Sequence, residues 1–523
     1  MHLNIMYKNI AMFFILIIIT FFVVQKNIIN SAPSKFYGDF QHDSETLVLG
    51  RVVADKYGKE LPKAAHLGFA SIIDFKYEPK YKYQSYSLVN SKEISDYTMN
   101  SEDINDSNWA RGISKKFAGV VTKKDYSLSD YVGRLLYLPN GESRTIQAVE
   151  HVDNYTNIYL TGSVIDSTFF DFPVILKLSG LQVNPELILL NPYLSQYGIQ
   201  GDFFSLIYNN VISKINALYY INSFVFSIVI ASLVFLYRRI ISTEFAVIFF
   251  LTIVLSPWIV SFARNLYWVP FSWFLPAVFS GFYFLSKSSE YKALSIVLVY
   301  FSFLFKCLAG YEYISSVILL AAAIFCYELF NPDRVISKSE SLKGFFLICT
   351  IGVAGFVTAL LMHANMRGDS IIEGLKSIYE LDVKRRTYGD PSVFGSESFE
   401  ALSSSPLTVV KTYIFNWNTL FLKGIPGYGF YTFLWISIAT ICYRWYESHQ
   451  NTLKDLGLFI AFFISPLSWF ILAKGHSGVH THMNYVLWYF GFAACILSIS
   501  LNGFKIAIIH ITSWAKTANP EKI

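Results

Sequence analysis

The sequence predicts a polytopic α-helical membrane protein of about ten spans that carries a large folded loop outside the bilayer. Three observations predict it. Only 15% of the 523 residues are charged while 53% are hydrophobic, against roughly 25% charged in a typical soluble protein. Ten long apolar runs recur along the chain, most of them near the ~20 residues needed to cross a hydrocarbon core. Basic residues collect in alternate short loops, as orientation in a membrane demands. Backbone polar groups inside lipid must be satisfied within the segment, so the runs are expected to be helices.

Taken in order, residues 1–25 hold a short terminus and the first span, 10–25. It is read as an uncleaved helix and not a signal peptide, because no small-x-small site ends it and Gln25-Lys26 follow at once. Spans two to seven (218–237, 243–262, 268–286, 293–310, 313–328, 344–363) fill 218–363. Spans eight to ten (427–443, 456–473, 484–501) fill 427–501, and 502–523 form a tail. Lys8, Arg238, Arg239, Lys287, Lys292, Arg334, Lys338, Lys343, Arg444, Lys454 and Lys505 all fall on one side if every span alternates. That side is expected to be cytoplasmic, which leaves the two long loops, 26–217 and 364–426, outside.

The first long loop must carry its own fold. In 44–76, Leu47, Leu49, Val52, Val53, Leu67, Ala70 and Ile73 recur at helical spacing and predict amphipathic helices. Residues 117–178 instead predict a small antiparallel β module. Two β-favouring runs flank Pro139-Asn140-Gly141, a hairpin signal, and NYTNIYLTG alternates like a strand. The second loop contains IIEGLKSIYELDVKRRTYGD, an amphipathic helix followed by a polar turn. All five cysteines (Cys307, Cys326, Cys349, Cys442, Cys495) fall within spans, so the loops use no disulfide and the chain has no Cys/His zinc framework.

Several stretches expected on the outer side carry ionisable groups. DFQHDSETLVLGR places Asp39, His42, Asp43 and Glu45 shortly after the first span. A carboxylate there can take a proton from an attacking hydroxyl, although the same residues also suit a plain helix N-cap. Arg264 and Asn265 end the third span, Lys306 lies in the outer half of the fifth, and Glu312 and Tyr313 follow it. Lys474, His476, His480, His482 and Asn484 lie between the ninth and tenth spans. A lysine at the centre of a membrane helix costs about 2.5–3.5 kcal/mol, which snorkelling or pairing with Glu312 or a phosphate would offset. A spacing of two between His480 and His482 points the rings apart on a helix, so no metal site is expected. Positive groups from three loops and carboxylates from a fourth suit a phosphate-bearing lipid held beside a base, since Arg and Lys both bind phosphate. Nucleotide-binding, zinc-protease, serine-hydrolase and CxxC motifs are missing. No cytoplasmic loop is large enough for a nucleotide, and no nucleic-acid partner or cofactor is expected.

With HDSETLVLGRV, ARNLYWVPFSWFLP, LFKCLAGYEY and KGHSGVHTHMNY, the chain resembles membrane glycosyltransferases of the GT-C fold. It is most similar to the bacterial and phage-encoded serotype-converting glucosyltransferases that modify O-antigen of lipopolysaccharide. The β module lies outside the resemblance. The resemblance implies a polyprenyl-phosphate (undecaprenyl phosphate) hexose donor, with glucose expected, and a polysaccharide or lipid-linked oligosaccharide acceptor on the periplasmic side of a bacterial inner membrane. It implies inverting transfer without metal, with Asp43 or Glu45 as base and Asp39 nearby. Arg264, Lys306, and His480 or His482, with Lys474, would hold the donor phosphate; Asn265, Glu312, Tyr313 and Asn484 would contact substrate. Related enzymes carry an adjacent Asp-Glu pair, whereas Ser44 separates Asp43 from Glu45 here, so either can be the base. Two other functions remain open: an O-antigen polymerase or ligase using Lys384-Arg385-Arg386 on a lipid diphosphate, and a transporter or flippase. The transporter would need charges at mid-membrane and paired broken helices, while the charges here gather at one rim.

Overall fold

A computed structural model describes residues 2–33, 37, 40–72, 87–90, 118–123, 135–137, 143–152, 155–160, 188–394, 396–447 and 449–518. Among these, six helices are long and apolar enough to cross a membrane: Tyr7–Lys26, Ile215–Ile240, Ser289–Ala309, Lys338–Arg367, Thr452–Leu472 and Phe492–Trp514. Thr243–Leu255, Phe271–Leu285 and Ile314–Phe330 are shorter apolar helices. The chain is an α-helical membrane protein. It forms two compact units. A helical unit comprises Met1–Ala32, Ser223–Ala263 and Pro270–Ile523, and a mixed unit comprises Pro33–Asn222 and Arg264–Val269.

In the helical unit, two runs read as single spans are interrupted, each for a local chemical reason. Within 243–262 one helix stops at Leu255 and another covers Pro257–Phe262. Pro257 has no N–H to continue the first helix, and the Ser256 hydroxyl accepts a hydrogen bond from the Ile259 amide at 3.1 Å, capping the second. Within 484–501 a 3-10 helix, Asn484–Tyr489, precedes the α-helix Phe492–Ala518. The junction turns at Gly491, whose φ of 109° is closed to residues with a Cβ.

The long helix Lys338–Arg367 packs by small residues. Gly344, Ile348, Gly352, Gly355 and Ala359 recur at three- and four-residue intervals on one face, where Ile348 and Ala359 are fully buried. A Cβ on Gly344 would lie 2.3 Å from the Phe325 ring, one on Gly352 2.7 Å from Ile318, and one on Gly355 2.9 Å from Phe303. Helices in lipid gain little from burying apolar surface, so association depends on such close approach.

In the mixed unit, the helix His42–Lys56 buries Leu47, Val48, Leu49 and Val52. The rest of 44–76 differs from the expected second helix: Gly68–Ile72 is a strand, β1, and Ile73 lies outside the described residues. Helical spacing alone does not separate the two states in so short an apolar run. β1 pairs antiparallel with Ile188–Pro192, which supplies the backbone partners a lone helix turn would lack. Leu61 and Ala65 form a small core with Ala54, covered by Leu190 and Leu194. The helix Ile199–Asn210 follows. Its Gly201 sits so near His66 that a Cβ would meet that carbonyl oxygen at 2.0 Å. Arg51 bridges Asp55 at 3.2 Å and Asp202 at 3.1 Å, and the Ser205 hydroxyl donates to Asp55 at 2.5 Å, joining the two helices.

The β module is a five-stranded antiparallel sheet ordered Ser87–Asn90, Ala118–Lys123, Tyr155–Leu160, Ser143–Val152, Leu135–Tyr137. Its first strand lies upstream of the expected 117–178 boundary. Leu135–Tyr137 and Ser143–Val152 pair antiparallel, with Tyr137 opposite Ser143; the intervening Pro139-Asn140-Gly141 lies outside the described residues. In the second long loop the expected helix runs from Ile371 to Arg386, passing through a π-helical turn at Tyr379–Val383, and a polar turn at Thr387-Tyr388 follows it.

Gly355→Leu is expected to destabilise the full chain by about 1–3 kcal/mol through overpacking. Val353→Leu, at a position 51% exposed, should leave stability within about 0.5 kcal/mol. Unfolding of both variants in detergent compares them.

Candidate functional site

In the mixed unit, the helix starting at His42 carries Asp43 and Glu45 in its first turn, where the helix N-terminus favours negative charge. Two residues apart, they are turned about 200° from each other around the helix. Asp43 is therefore exposed while Glu45 is 2% exposed. The Leu266 amide donates to Glu45 Oε1 at 2.7 Å, and the Tyr219 hydroxyl donates to Oε2 at 3.0 Å. Asp43 has a different setting. Its carboxylate receives only a long contact from the neighbouring Ser44 hydroxyl, 3.5 Å, among the described residues. Asp39 lies outside the described residues.

Leu266 belongs to the loop Arg264–Val269, which Asn265 fastens a second time. The Asn265 amide nitrogen donates to the carbonyls of Phe40 (3.3 Å) and Gln41 (3.1 Å). Its oxygen accepts from the amides of Tyr267 (2.9 Å) and Trp268 (3.1 Å). Gln200 donates to the Tyr267 carbonyl at 3.0 Å, and Asn222 donates to the Asn265 carbonyl at 3.0 Å. Asn265, expected to contact substrate, has its side-chain amide committed to backbone. The loop presents Arg264, whose guanidinium lies 4.7 Å from the Tyr219 ring centre and 5.6 Å from that of Tyr37. Burial opposes the Arg264 charge, but Tyr219, Tyr37 and Glu45 outweigh it and hold its pKa above the ordinary arginine value. Asp43, Glu45, Arg264 and Asn265 are thus brought together by one helix start and one loop.

The remaining candidates belong to the helical unit. Lys306 is 3% exposed, and its ammonium donates to the Gly310 carbonyl. Glu312 is buried and lies 3.4 Å from Arg386. Arg386 and Arg385 approach Asp382 at 3.9 and 3.8 Å, and Arg367 also pairs with Asp382. The Tyr313 hydroxyl donates to Asn484 Oδ1 at 2.8 Å, and Asn484 Nδ2 lies 3.3 Å from His476 Nδ1. The His476 and His480 rings are 4.5 Å apart, those of His480 and His482 5.5 Å. Lys474 donates to the carbonyls of Leu402 (2.7 Å) and Ser404 (2.9 Å) and lies over Tyr388 at 5.1 Å. Two of its three ammonium donors are thus used to hold the stretch 402–404.

Burial, then the neighbouring histidines and Arg386 and Arg385, push His476 well below the ordinary histidine range. Burial and the neighbouring His482 and Arg386 bring His480 down to about 4. Both are neutral at physiological pH, so they can offer hydrogen bonds but no positive charge. His480 Nδ1 is buried with no hydrogen-bond partner among the described residues. The positive charge near them comes from arginines of the second long loop. From sequence Arg386 is expected only as part of the Lys384-Arg385-Arg386 cluster of the polymerase or ligase reading, not beside Glu312 and the histidines. A usable signal was present in KGHSGVH: a Cβ on Gly475 would lie 2.5 Å from the Arg385 carbonyl oxygen, and one on Gly478 2.6 Å from Ala401. Glycines at these two positions let that loop lie directly on the histidine segment. Among the described residues no group of three or more His, Cys, Asp or Glu side chains is arranged to hold a metal ion. No family model matches this chain, and comparison with curated proteins and with solved structures likewise finds no match.

Glu45→Ala is expected to cost on the order of 3 kcal/mol, because it leaves two buried donors without an acceptor. Asp43→Ala should cost less than about 1 kcal/mol, and detergent unfolding of both variants measures the difference. His480 also makes stability pH-dependent. The unfolded chain takes up its proton near pH 6.5 and the folded one only near about 4, so stability falls as pH drops through that window. His480→Gln should flatten the stability curve between these two values and leave it unchanged above pH 7, as read from unfolding midpoints across the range.

Proposed function

We propose that this chain is a glycosyltransferase of the GT-C type that moves a hexose, with glucose the expected sugar, from a polyprenyl-phosphate donor to O-antigen or another surface polysaccharide. The reading takes the protein to cross a bacterial inner membrane ten times, with both long loops in the periplasm. On this reading the six long helices, the three shorter apolar ones and Tyr428–Glu447 would be the ten crossings.

One observation carries the reading. A single helix start presents a solvent-facing carboxylate, Asp43, while its buried neighbour, Glu45, pins the loop that holds Arg264. Asp43 is then the base and Glu45 a positioning residue. The acceptor hydroxyl gives its proton to Asp43, and its oxygen bonds to the anomeric carbon from the face opposite the phosphate. The carbon–oxygen bond to the donor phosphate breaks, with its electron pair leaving on that phosphate, so the anomeric configuration inverts. Arg264 neutralises charge that develops on the departing group. Lys306, His480 and His482 stand as a second set of phosphate-binding candidates, to be tested by separate substitutions.

A specific observation favours a second enzyme reading. Arg386, from the one arginine cluster of the second long loop, lies beside Glu312 and the histidines, as a polymerase or ligase acting on a lipid-diphosphate sugar would use it.

Asp43→Asn is expected to lower turnover by at least about 100-fold, the usual contribution of a general base, with the chain still folded. Glu45→Gln should lose less turnover and more stability. The assay follows transfer of labelled sugar from lipid-monophosphate and lipid-diphosphate donors, supplied separately, to a polysaccharide acceptor. Full activity in Asp43→Asn overturns the mechanism, and transfer from the diphosphate donor alone selects the polymerase or ligase.

A further inference from the structure

The helical unit contains a cavity of about 1000 Å³ that plays no part in the reading above. It lies between the helices His2–Lys26, Ile215–Ile240, Phe271–Leu285 and Ser289–Ala309. Its volume is at the upper end of small-molecule sites, roughly 300–1,000 Å³. The walls are hydrocarbon and aromatic, formed by Phe13, Phe235, Leu236 and Leu298. Phe14, Phe282, Tyr291 and Leu294 also line it and are 46–67% exposed, so the cavity opens to the surroundings along apolar side chains. Arg238 and Arg239 line it as well, both exposed at the last turn of Ile215–Ile240, and Arg238 donates a hydrogen bond to Asn9 Oδ1 at 3.3 Å.

The chemistry of the lining has two parts. A groove of Phe and Leu that opens sideways fits a long hydrocarbon chain, for which water is a poor filling. Two successive arginines at its rim fit a phosphate, which guanidinium groups bind as a fork. Of the acidic side chains on neighbouring stretches, Glu244 pairs with Lys505 at 2.6 Å, while Glu290 accepts from the neutral Ser288 hydroxyl and keeps its charge, one carboxylate against two arginines. The rim therefore keeps a net positive charge toward the groove. Tyr291 and Lys306 lie on the same helix, fifteen residues or roughly 22 Å apart at 1.5 Å per residue, so this groove is separate from the residues around Lys306.

We propose that this cavity is a binding site for an anionic phospholipid, with one acyl chain between Phe13, Phe235 and Leu298 and the head-group phosphate on Arg238 and Arg239. The lipid fills the gap between the first helix and its neighbours.

The test uses the full chain in detergent, with phosphatidylglycerol and phosphatidylcholine of identical acyl chains added in equal amounts and retained lipid counted by native mass spectrometry. The wild type should retain phosphatidylglycerol preferentially. The double substitution Arg238→Gln/Arg239→Gln should weaken that retention roughly 25-fold, from about 1 kcal/mol for each arginine, and leave phosphatidylcholine unchanged. Equal retention of the two lipids by the wild type overturns the proposal, as does undiminished phosphatidylglycerol retention by the double variant, or preference for polyprenyl phosphate in a third arm. Should the double variant not fold, Tyr291→Trp in the otherwise wild-type chain replaces it. Brominated phosphatidylglycerol should then quench the new fluorescence more strongly than brominated phosphatidylcholine, and equal quenching overturns the proposal.

Discussion

A carboxylate taken out of water costs several kcal/mol unless donors replace its hydration, and Glu45 is such a group. Its two oxygens are satisfied by the Leu266 peptide and the Tyr219 phenol, from stretches more than 170 residues away in sequence. This requirement organises the mixed unit. To satisfy the acid, the loop Arg264–Val269 must return to the start of the helix His42–Lys56, and Asn265 then fixes its register with four further hydrogen bonds. Arg264 is delivered as a consequence, stacked between Tyr219 and Tyr37. A glutamate at 45 is thus worth more as an anchor than as a reagent, since an acid already holding two donors has less capacity to accept a third proton donor. Asp43, turned to the other side of the same helix, has that capacity.

The membrane character of the chain was legible because lipid imposes one rule on every span: about 20 apolar residues with few charges. That rule locates the runs but is blind to their continuity. Ser256-Pro257 and Gly491 break two of them, and each break is a single-residue matter of a missing N–H or a positive φ. A hydropathy window averages such residues away. Within 44–76, the strand Gly68–Ile72 departs from the expected helix for another reason. Leu67 and Ala70 fit a helical period, but Gly68–Ile72 finds its hydrogen bonds on Ile188–Pro192, a partner some 120 residues distant that local pattern cannot reveal.

The candidate site divides in the same way. Asp43, Glu45 and Arg264 could be picked out by charge and by place relative to the spans. Which carboxylate faces water could be argued only once the helix was known to begin at His42, because a shift of one residue in that start turns both acids. Lys384-Arg385-Arg386 stands out in the sequence as a basic cluster, but nothing local says which groups Arg386 meets. Its position against Glu312 depends on the helix continuing through Tyr379–Val383 and on Gly475 accepting close approach. The histidines illustrate the limit of residue type as a guide. His480 was grouped with cations by sequence, yet burial beside Arg386 keeps it neutral.

What the helical-unit cluster can bind follows from its charge. Three guanidiniums, from Arg367, Arg385 and Arg386, share the carboxylates of Asp382 and Glu312, and the adjacent His476 and His480 add none. The cluster is net positive, and burial strengthens its field. An incoming phosphate would compete with Glu312 for Arg386, so binding amounts to exchange of one anion for another and not to filling a bare charge. Exchange of this kind disfavours weakly charged ligands, because a neutral sugar could not displace the carboxylate. A group with the charge of a phosphate could, and neutral imidazoles beside it would contribute hydrogen bonds without adding the repulsion that further positive charge would bring.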